Sequence, residues 1–185
     1  SSITIIIACG EFFAILIAGI DLSVGSIMAL AGMVTAKLVA MGSVPWEIAV
    51  LAGLLVGAMC GIFNGMLINV TGLHPFVVTL GTQSIFRGLV LIFSDAKSVY
   101  GFPQQFKDFM GGWLGGKVPS PVIIALIMAV LLWFLSSKTV LGRNIYALGG
   151  NKEAAWFSGI NTKLYILIVY IISGVCFGLA GIVYT

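Results

Sequence analysis

The sequence predicts an all-α, polytopic transmembrane helical bundle. Of the 185 residues, 60% are hydrophobic and 8% are charged, whereas soluble domains carry roughly 25% charged residues. Apolar stretches recur along the chain, and each approaches the roughly 20 residues that a helix needs to cross a bilayer. This composition excludes a water-soluble globule and a disordered chain. The nine basic residues are scattered along the chain, which also excludes a nucleic-acid-binding protein.

We predict about six membrane spans. They cover residues 3–18, 22–41, 48–70, 76–93, 119–137 and 164 onward. The third stretch has no charged residue and is long enough, at about 1.5 Å per residue, to cross a core of roughly 30 Å. Because apolar sequence reaches both ends of the chain, we expect residues 1–185 to be part of one larger transmembrane domain that is truncated at both ends.

Glycine recurs at every fourth position of the third span. The four positions are Gly53, Gly57, Gly61 and Gly65. Residues four apart share one helix face, and a face without side chains lets a neighbouring backbone come close. Gly174 and Gly178 repeat this spacing in the last span. We therefore predict a tightly packed bundle.

A polar stripe follows the fourth span. Thr79, Gln83 and Arg87 are spaced four residues apart, so they lie on one helical face. Polar side chains on a membrane helix must face protein or water. We therefore expect this stripe, joined by Asn64 of the third span, to line a hydrophilic route. Alternatively, Asn64 bonds to neighbouring backbone and Arg87 extends toward the membrane interface.

Glu11 and Arg87 are charged residues inside predicted spans, which marks them as candidate functional residues. Counted from the ends that alternation of the spans places on one face, Glu11 lies roughly 12 Å deep and Arg87 roughly 9 Å deep. We hypothesise that the two side chains form an ion pair. The alternative is that Glu11 faces a polar cavity alone.

We predict no catalytic residues, no cofactor and no metal site. Residues 111–117 follow the glycine and lysine spacing of a phosphate-binding loop, but Val118 replaces the required Ser or Thr. The three cysteines lie inside apolar stretches and are expected to be core residues. His74 stands beside Pro75 in a turn, and we expect it to cap a helix.

Residues 151–159 predict a short, isolated helix. Asn151 can cap its N-terminus, Glu153 favours the positive end of the helix dipole, and Gly159 can end it. So short a helix is unstable alone in water. Because it carries Trp156 and Phe157, we expect it to dock either on its own bundle or on a separate cytosolic protein.

Three separated motifs identify a family resemblance. Residues 19–26, which include Asp21, Ser23 and Gly25, are followed in order by residues 76–82 and 141–160. Together they resemble the signatures of ABC-importer permeases for monosaccharides of the ribose, xylose and allose type, the allose type most of all. The resemblance covers nearly the whole chain.

The resemblance implies a permease in the inner membrane that works as a dimer of two copies. It receives a sugar from a periplasmic binding protein and is driven by a cytosolic ATP-binding subunit. By resemblance, the helix at 151–159 is the coupling helix in contact with that subunit, through Asn151, Lys152, Glu153, Ala154, Ala155, Trp156 and Gly159. This places residues 138–163 in the cytosol and residues 94–118 in the periplasm, an orientation that the balanced distribution of basic residues leaves open.

The chain departs from the family pattern at two places. Glu11 replaces a residue of a Gly-Met-Thr type sequence, and Trp156 and Phe157 replace a less aromatic pair. Two other functions stay open on the residues. One is an ion-coupled secondary carrier that uses Glu11 or Asp21 as its titrating acid. The other is an intramembrane hydrolase whose catalytic groups lie outside this sequence.

Overall fold

The computed structural model describes residues 1–42, 44–114 and 116–185. In these ranges the chain forms nine helices and one short β-hairpin, listed in chain order as follows: α1 (Ser2–Leu16), α2 (Val24–Met41), α3 (Trp46–Thr71), α4 (Pro75–Ser94), α5 (Gln104–Gly111), β1 (Trp113–Leu114), β2 (Val118–Pro119), α6 (Ser120–Lys138), α7 (Val140–Gly150), α8 (Lys152–Phe157) and α9 (Thr162–Tyr184). In the hairpin, Trp113 pairs with Pro119 in antiparallel register.

The long helices confirm the predicted transmembrane bundle. Five helices of the described residues, α2, α3, α4, α6 and α9, are long and apolar enough to cross a membrane, and α1 is a shorter apolar helix. Helix α1 ends at Leu16, two residues before the predicted boundary, and Ala18 then adopts a left-handed conformation with φ of 57°. The chain therefore turns back into the bundle before α2 begins.

The two long polar connections contain more helix than the sequence analysis predicted. Residues 94–118 include α5 and part of the hairpin, and residues 138–163 include α7 in addition to the expected helix α8. Helix α7 is amphipathic: Ile145 and Leu148 are buried on one face, whereas Tyr146 is exposed on the other. The segment folds because that apolar face packs on the bundle.

The loop with the phosphate-binding spacing folds as the hairpin. Lys117 lies in the turn between β1 and β2, and the next helix, α6, begins only at Ser120. A phosphate-binding loop instead places a helix N-terminus directly after its lysine. Gly115 of this motif lies outside the described residues.

The predicted glycine ridge packs against α9. Gly53, Gly57, Gly61 and Gly65 are all buried. A Cβ atom added to Gly57 would overlap the carbonyl oxygen of Gly174, and one added to Gly174 would overlap that of Gly57. The two helix backbones are therefore in direct contact, as small-residue packing in membranes requires.

The helix ends gather at two opposite ends of the bundle, as alternation of the spans predicted. At one end, the ends of α1, α3 and α4 surround a cavity of about 520 Å³ together with residues 148–152; Ala18, His74 and Lys152 all line it. At the other end, Trp46 packs on Phe109 of α5 with ring centroids 5.0 Å apart. His74 caps α4, because its Nδ1 accepts a hydrogen bond from the backbone N–H of Phe76 at 3.3 Å.

Candidate functional site

The connection between α1 and α2 is built around a buried carboxyl group. Asp21 is only 2% exposed, and its Oδ1 accepts hydrogen bonds from the backbone N–H of Ser23 at 2.8 Å and from the Ser23 hydroxyl at 2.5 Å. The Ser23 hydroxyl in turn accepts a hydrogen bond from Nδ2 of Asn64 at 2.8 Å. The motif at residues 19–26 therefore closes a turn and fastens it to α3.

Glu11 binds this connection rather than Arg87. Its Oε1 accepts a hydrogen bond from the backbone N–H of Asp21 at 2.9 Å. The ion pair found among the described residues joins Lys37 to Asp95 at 3.9 Å, so the hypothesis that Glu11 pairs with Arg87 is wrong. The physical reason is that the chain folds back after α1 and presents a backbone N–H to Glu11.

Thr79 is the residue of the polar stripe that meets the connection. Its hydroxyl accepts a hydrogen bond from the backbone N–H of Leu22 at 3.1 Å and donates one to the carbonyl oxygen of Ile20 at 3.2 Å. Arg87 stands eight positions further along α4, which is about 12 Å along the helix axis. The three residues of the stripe share one face of α4, but only Thr79 is buried in the bundle.

The structure separates the four predicted pathway residues. Asn64 and Thr79 are fully buried and hydrogen-bonded within the bundle, so neither faces an open route in this structure. Gln83 and Arg87 are exposed. On a membrane-spanning helix such an exposed polar face needs water or another protein surface beside it.

Arg87 also lines a groove between α2, α4 and α9. The groove measures about 430 Å³ and is bordered on the α2 side by Gly25 and Ala29. A Cβ atom on Gly25 would meet nothing within 4 Å, so Gly25 borders open space rather than a packed neighbour. The small residues of α2 and the charge of Arg87 thus form one open surface.

The structure confirms the short helix that the sequence predicted at residues 151–159. Asn151 caps α8, because its Oδ1 accepts a hydrogen bond from the backbone N–H of Ala154 at 2.9 Å. Glu153 lies in the first turn. Gly159 follows the helix with φ of 83°, a conformation that favours glycine. Asn161 then caps α9 through the backbone N–H of Leu164 at 3.1 Å.

Helix α8 turns one small residue inward and its aromatic residues outward. Ala155 is 4% exposed, whereas Trp156 is 62% and Phe157 79% exposed, with their ring centroids 5.0 Å apart. The remaining predicted contact residues are all exposed: Asn151, Lys152, Glu153, Ala154 and Gly159. Docking on its own bundle accounts for Ala155 and leaves the two aromatic rings uncovered.

Helix α7 holds α8 at this end of the bundle. The backbone of Gly149 packs directly on the carbonyl oxygen of Leu16, at the end of α1. Nδ2 of Asn144 donates a hydrogen bond to the hydroxyl of Tyr165 in α9 at 2.6 Å. These contacts attach α7 to both α1 and α9. Because α8 directly follows α7, its exposed surface is held in a fixed position relative to the bundle.

Comparison with known proteins identifies the family. Residues 1–185 match the profile of the family described as the permease component of the branched-chain amino acid transport system. The chain belongs to this permease family. It is thus an ABC transporter permease component, as the sequence resemblance predicted, and its five long apolar helices fit multi-pass insertion into the inner membrane.

Relatives of this permease include permeases for sugars. The D-allose transport system permease protein of Escherichia coli strain K12 is 60% identical over 185 residues, which are 100% of this chain and 56% of that protein. The ribose import permease protein of Bacillus subtilis strain 168 is 39% identical over 97% of this chain and 56% of its own length. The galactofuranose transporter permease protein of Escherichia coli strain K12 is 37% identical over 96% of this chain and 52% of its own length.

The chain thus spans about half the length of these relatives. No solved structure matches it.

Sequence reasoning missed two features of this permease. It did not predict α7, although Leu141, Ile145 and Leu148 follow the spacing of a helical apolar face. It also did not predict that Asn64 bonds to Ser23, because the two residues are 41 positions apart and no local pattern links them.

Proposed function

We propose that this permease forms part of the membrane-spanning subunit of an ATP-driven importer that moves a monosaccharide of the allose or ribose class across the bacterial inner membrane. The similarity to D-allose and ribose permeases supports a sugar as the substrate. The subunit is not an enzyme: it performs no chemistry on the sugar, and a separate cytosolic subunit hydrolyses ATP. A periplasmic sugar-binding protein delivers the substrate.

The exposed aromatic pair of α8 is the observation that carries this proposal. Trp156 and Phe157 project from a capped helix at the end of the bundle that also holds His74. Large exposed aromatic side chains are typical anchors of protein interfaces. In the proposed mechanism the ATP-binding subunit holds residues 151–159, and its closure on ATP shifts the bundle as a rigid body.

The open face of α4 supports the proposed translocation route. Gln83 and Arg87 offer hydrogen-bond donors to sugar hydroxyl groups, and both side chains are exposed in the described structure. In the assembled protein this face would meet a second permease copy across a central polar path. Asn64 and Thr79 would contribute by fixing the α1–α2 connection rather than by touching the sugar.

The surface at the opposite end of the bundle is where the binding protein would dock. Tyr100 and Trp113 are both exposed there, on either side of α5. Aromatic side chains at a polar end of a membrane protein suit either the headgroup region or a protein interface. We propose that this periplasmic surface receives the sugar-loaded binding protein.

The ion-coupled alternative has less support. Glu11 and Asp21 both hold the α1–α2 connection through backbone N–H groups, so their positions have a structural explanation without a titration step. Uptake by the reconstituted importer should persist when ionophores dissipate the proton and sodium gradients while ATP is held constant. Collapse of uptake under that condition would favour the carrier instead.

The decisive experiment uses the assembled importer in proteoliposomes. We expect the double variant W156A/F157A to lose sugar-stimulated ATP hydrolysis and uptake, because the subunit interface loses its aromatic anchors. The matched control is W133A/F134A, which removes an adjacent and exposed Trp-Phe pair from the membrane-spanning helix α6. Unchanged ATP hydrolysis and pull-down of the ATP-binding subunit in W156A/F157A would reject the coupling role. A separate variant, Y100A/W113A, tests the periplasmic surface: loss of delivery from the binding protein in that variant would support the proposed docking surface.

A further inference from the structure

Two cavities follow one another between α2 and α4. The first is the groove of about 430 Å³ that Arg87 lines, and its α2 side reaches Ala36. The second measures about 370 Å³ and begins on α2 at the next residue, Lys37. On α4 the groove is lined by Val90 and the second cavity by Ser94, one helical turn further along. The two cavities therefore form a series along the same pair of helices.

Val99 connects the two cavities, because its side chain lines both of them. Asp95 and Ala96 follow α4 with φ of 52° and 54°, and this left-handed bend returns the chain toward α2. Arg87 and Ser94 are seven positions apart, which is about 10 Å along the helix axis. The second cavity thus lies between the end of the bundle opposite α8 and the charged side chain in the groove.

The second cavity, called the outer pocket below, carries charges of both signs. Lys37, Asp95, Lys97 and the hydroxyl-bearing Ser98 line it. Nζ of Lys37 lies 3.9 Å from Oδ2 of Asp95, which is longer than a hydrogen bond. The ammonium group and the carboxylate therefore keep hydrogen-bonding capacity for a ligand placed between them.

These charges favour a neutral ligand rich in hydroxyl groups. An anion would meet the carboxylate of Asp95, and a cation would meet the ammonium groups of Lys37 and Lys97. A hydroxyl group both donates and accepts, so neighbouring hydroxyls can donate to the carboxylate and accept from an ammonium group. The volume of the outer pocket, about 370 Å³, lies within the range of roughly 300–1,000 Å³ that is typical of small-molecule sites.

We propose that the outer pocket is an entry site for a monosaccharide, which binds between Lys37 and Asp95 and then passes Val99 into the groove beside Arg87. This inference rests on the proposed function, because it takes a sugar as the substrate. It adds the place where the sugar first contacts the permease. A partly exposed ion pair contributes little to stability, so a sugar hydroxyl group can enter between its two partners at small cost.

The first experiment measures sugar binding to the full-length permease in detergent, without the binding protein or the ATP-binding subunit. D-allose and D-ribose are the probes, and saturation-transfer NMR detects weak binding. The parent protein should bind at least one of them saturably. D95N removes the negative charge, and asparagine tolerates the left-handed backbone of this position; K37Q removes the ammonium group. Each should weaken binding about tenfold, the scale of one hydrogen bond to a charged group.

D108N is the matched control for sugar binding. Asp108 is an exposed acid of α5 and lies outside the set of described residues that line the outer pocket, so this variant should bind sugar as the parent does. Absence of saturable binding to the parent would overturn the proposal, and so would unchanged binding to both D95N and K37Q. Tighter binding of D-ribose 5-phosphate than of D-ribose would overturn the assignment to a neutral sugar.

The second experiment tests the passage from the outer pocket to the groove. In the assembled importer V99W should abolish sugar uptake, because the larger side chain fills the junction of the two cavities, whereas V99A should retain uptake. ATP hydrolysis stimulated by the loaded binding protein should persist in V99W, which shows that the complex assembles. V130W adds the same side chain to the exposed face of α6 and should transport normally. Normal uptake by V99W would overturn the proposed route.

The entry site and the proposed function fail in different ways. If the parent importer takes up no sugar, the proposed function fails. If it does take up sugar, and D95N, K37Q and V99W bind and transport as the parent does, only the entry site fails. Tyr100 also lines the outer pocket. An effect of D95N that occurs only when the binding protein is present would therefore assign the pocket to protein docking and overturn the proposal.

Discussion

Gly57 of α3 and Gly174 of α9 face each other with no room for a side chain on either residue. Each α-carbon lies against the partner backbone, and Gly53, Gly61 and Gly178 extend this contact along the two helices. The contact between α3 and α9 is therefore formed by main-chain atoms. Its stability depends on the glycines remaining glycine.

We predict that G57A destabilises the full-length permease by about 1–3 kcal/mol, because the added methyl group overpacks the contact with Gly174. The measurement is unfolding in a detergent titration followed by circular dichroism. The matched control is G81A on α4, where a Cβ atom meets nothing within 4 Å. The control should be neutral or slightly stabilised, since alanine is the better helix former. Equal destabilisation of both variants would contradict the close backbone contact between α3 and α9 at Gly57.

We predict that N64A costs about 1–3 kcal/mol of stability, because it removes a buried hydrogen bond to Ser23 and leaves a gap beside the α1–α2 connection. N69A is the matched control. Asn69 also donates a side-chain hydrogen bond, to the carbonyl oxygen of Lys163 at 2.8 Å, but this bond is exposed and Asn69 is only half-buried. Its loss should cost less than about 1 kcal/mol. The two variants are compared in the same unfolding assay.

The cap of α8 gives a prediction about coupling. N151A should weaken the helix N-terminus by about 1 kcal/mol and lower sugar-stimulated ATP hydrolysis in the assembled importer. N151D and N151S should restore it, because both side chains can cap. The matched variant N161A removes the cap of α9, a long packed helix, and should leave the hydrolysis rate nearly unchanged. A rate for N151A equal to that of the parent would contradict the role of α8.

The proposed translocation route predicts which residues of α4 meet water. In a cysteine-free background, Q83C and R87C should react with a membrane-impermeant thiol reagent, and sugar in the transport cycle should change the rate. I92C is the control, because Ile92 is 71% exposed on the same helix but apolar, and we expect it to face lipid. Labelling of I92C at the same rate as Q83C would contradict a polar route along this face.

Much of the fold could be predicted because a membrane-spanning helix is recognised from the apolar composition of one continuous stretch of sequence. Apolar stretches gave the spans to within a few residues, and the four-residue glycine spacing correctly predicted a face that packs on a helix. The N-terminal cap of α8 at Asn151 and its C-terminal end near Gly159 were also predicted from the sequence. Each of these features depends on residues within one or two helical turns of one another.

The candidate site was harder to predict because it is assembled across the chain. Glu11 was expected to need a basic partner, since the sequence alone does not reveal that the Asp21 backbone returns to it. The stripe of α4 was expected to share one environment, yet Thr79 is buried by the connection while Arg87 is not. Periodicity shows which residues share a helix face, but it does not show where a neighbouring segment stops covering that face.

The backbone contact between α3 and α9 also constrains how the protein can move. Two helices that interlock through main-chain atoms cannot slide past each other without separating first. We therefore expect α3 and α9 to move as one rigid body. If the proposed ATP-binding subunit moves α8, which is followed along the chain by α9, we expect α9 and α3 to move together. Any opening of the transport route in this part of the bundle must then occur where other helices contact the α3–α9 pair, and not between α3 and α9.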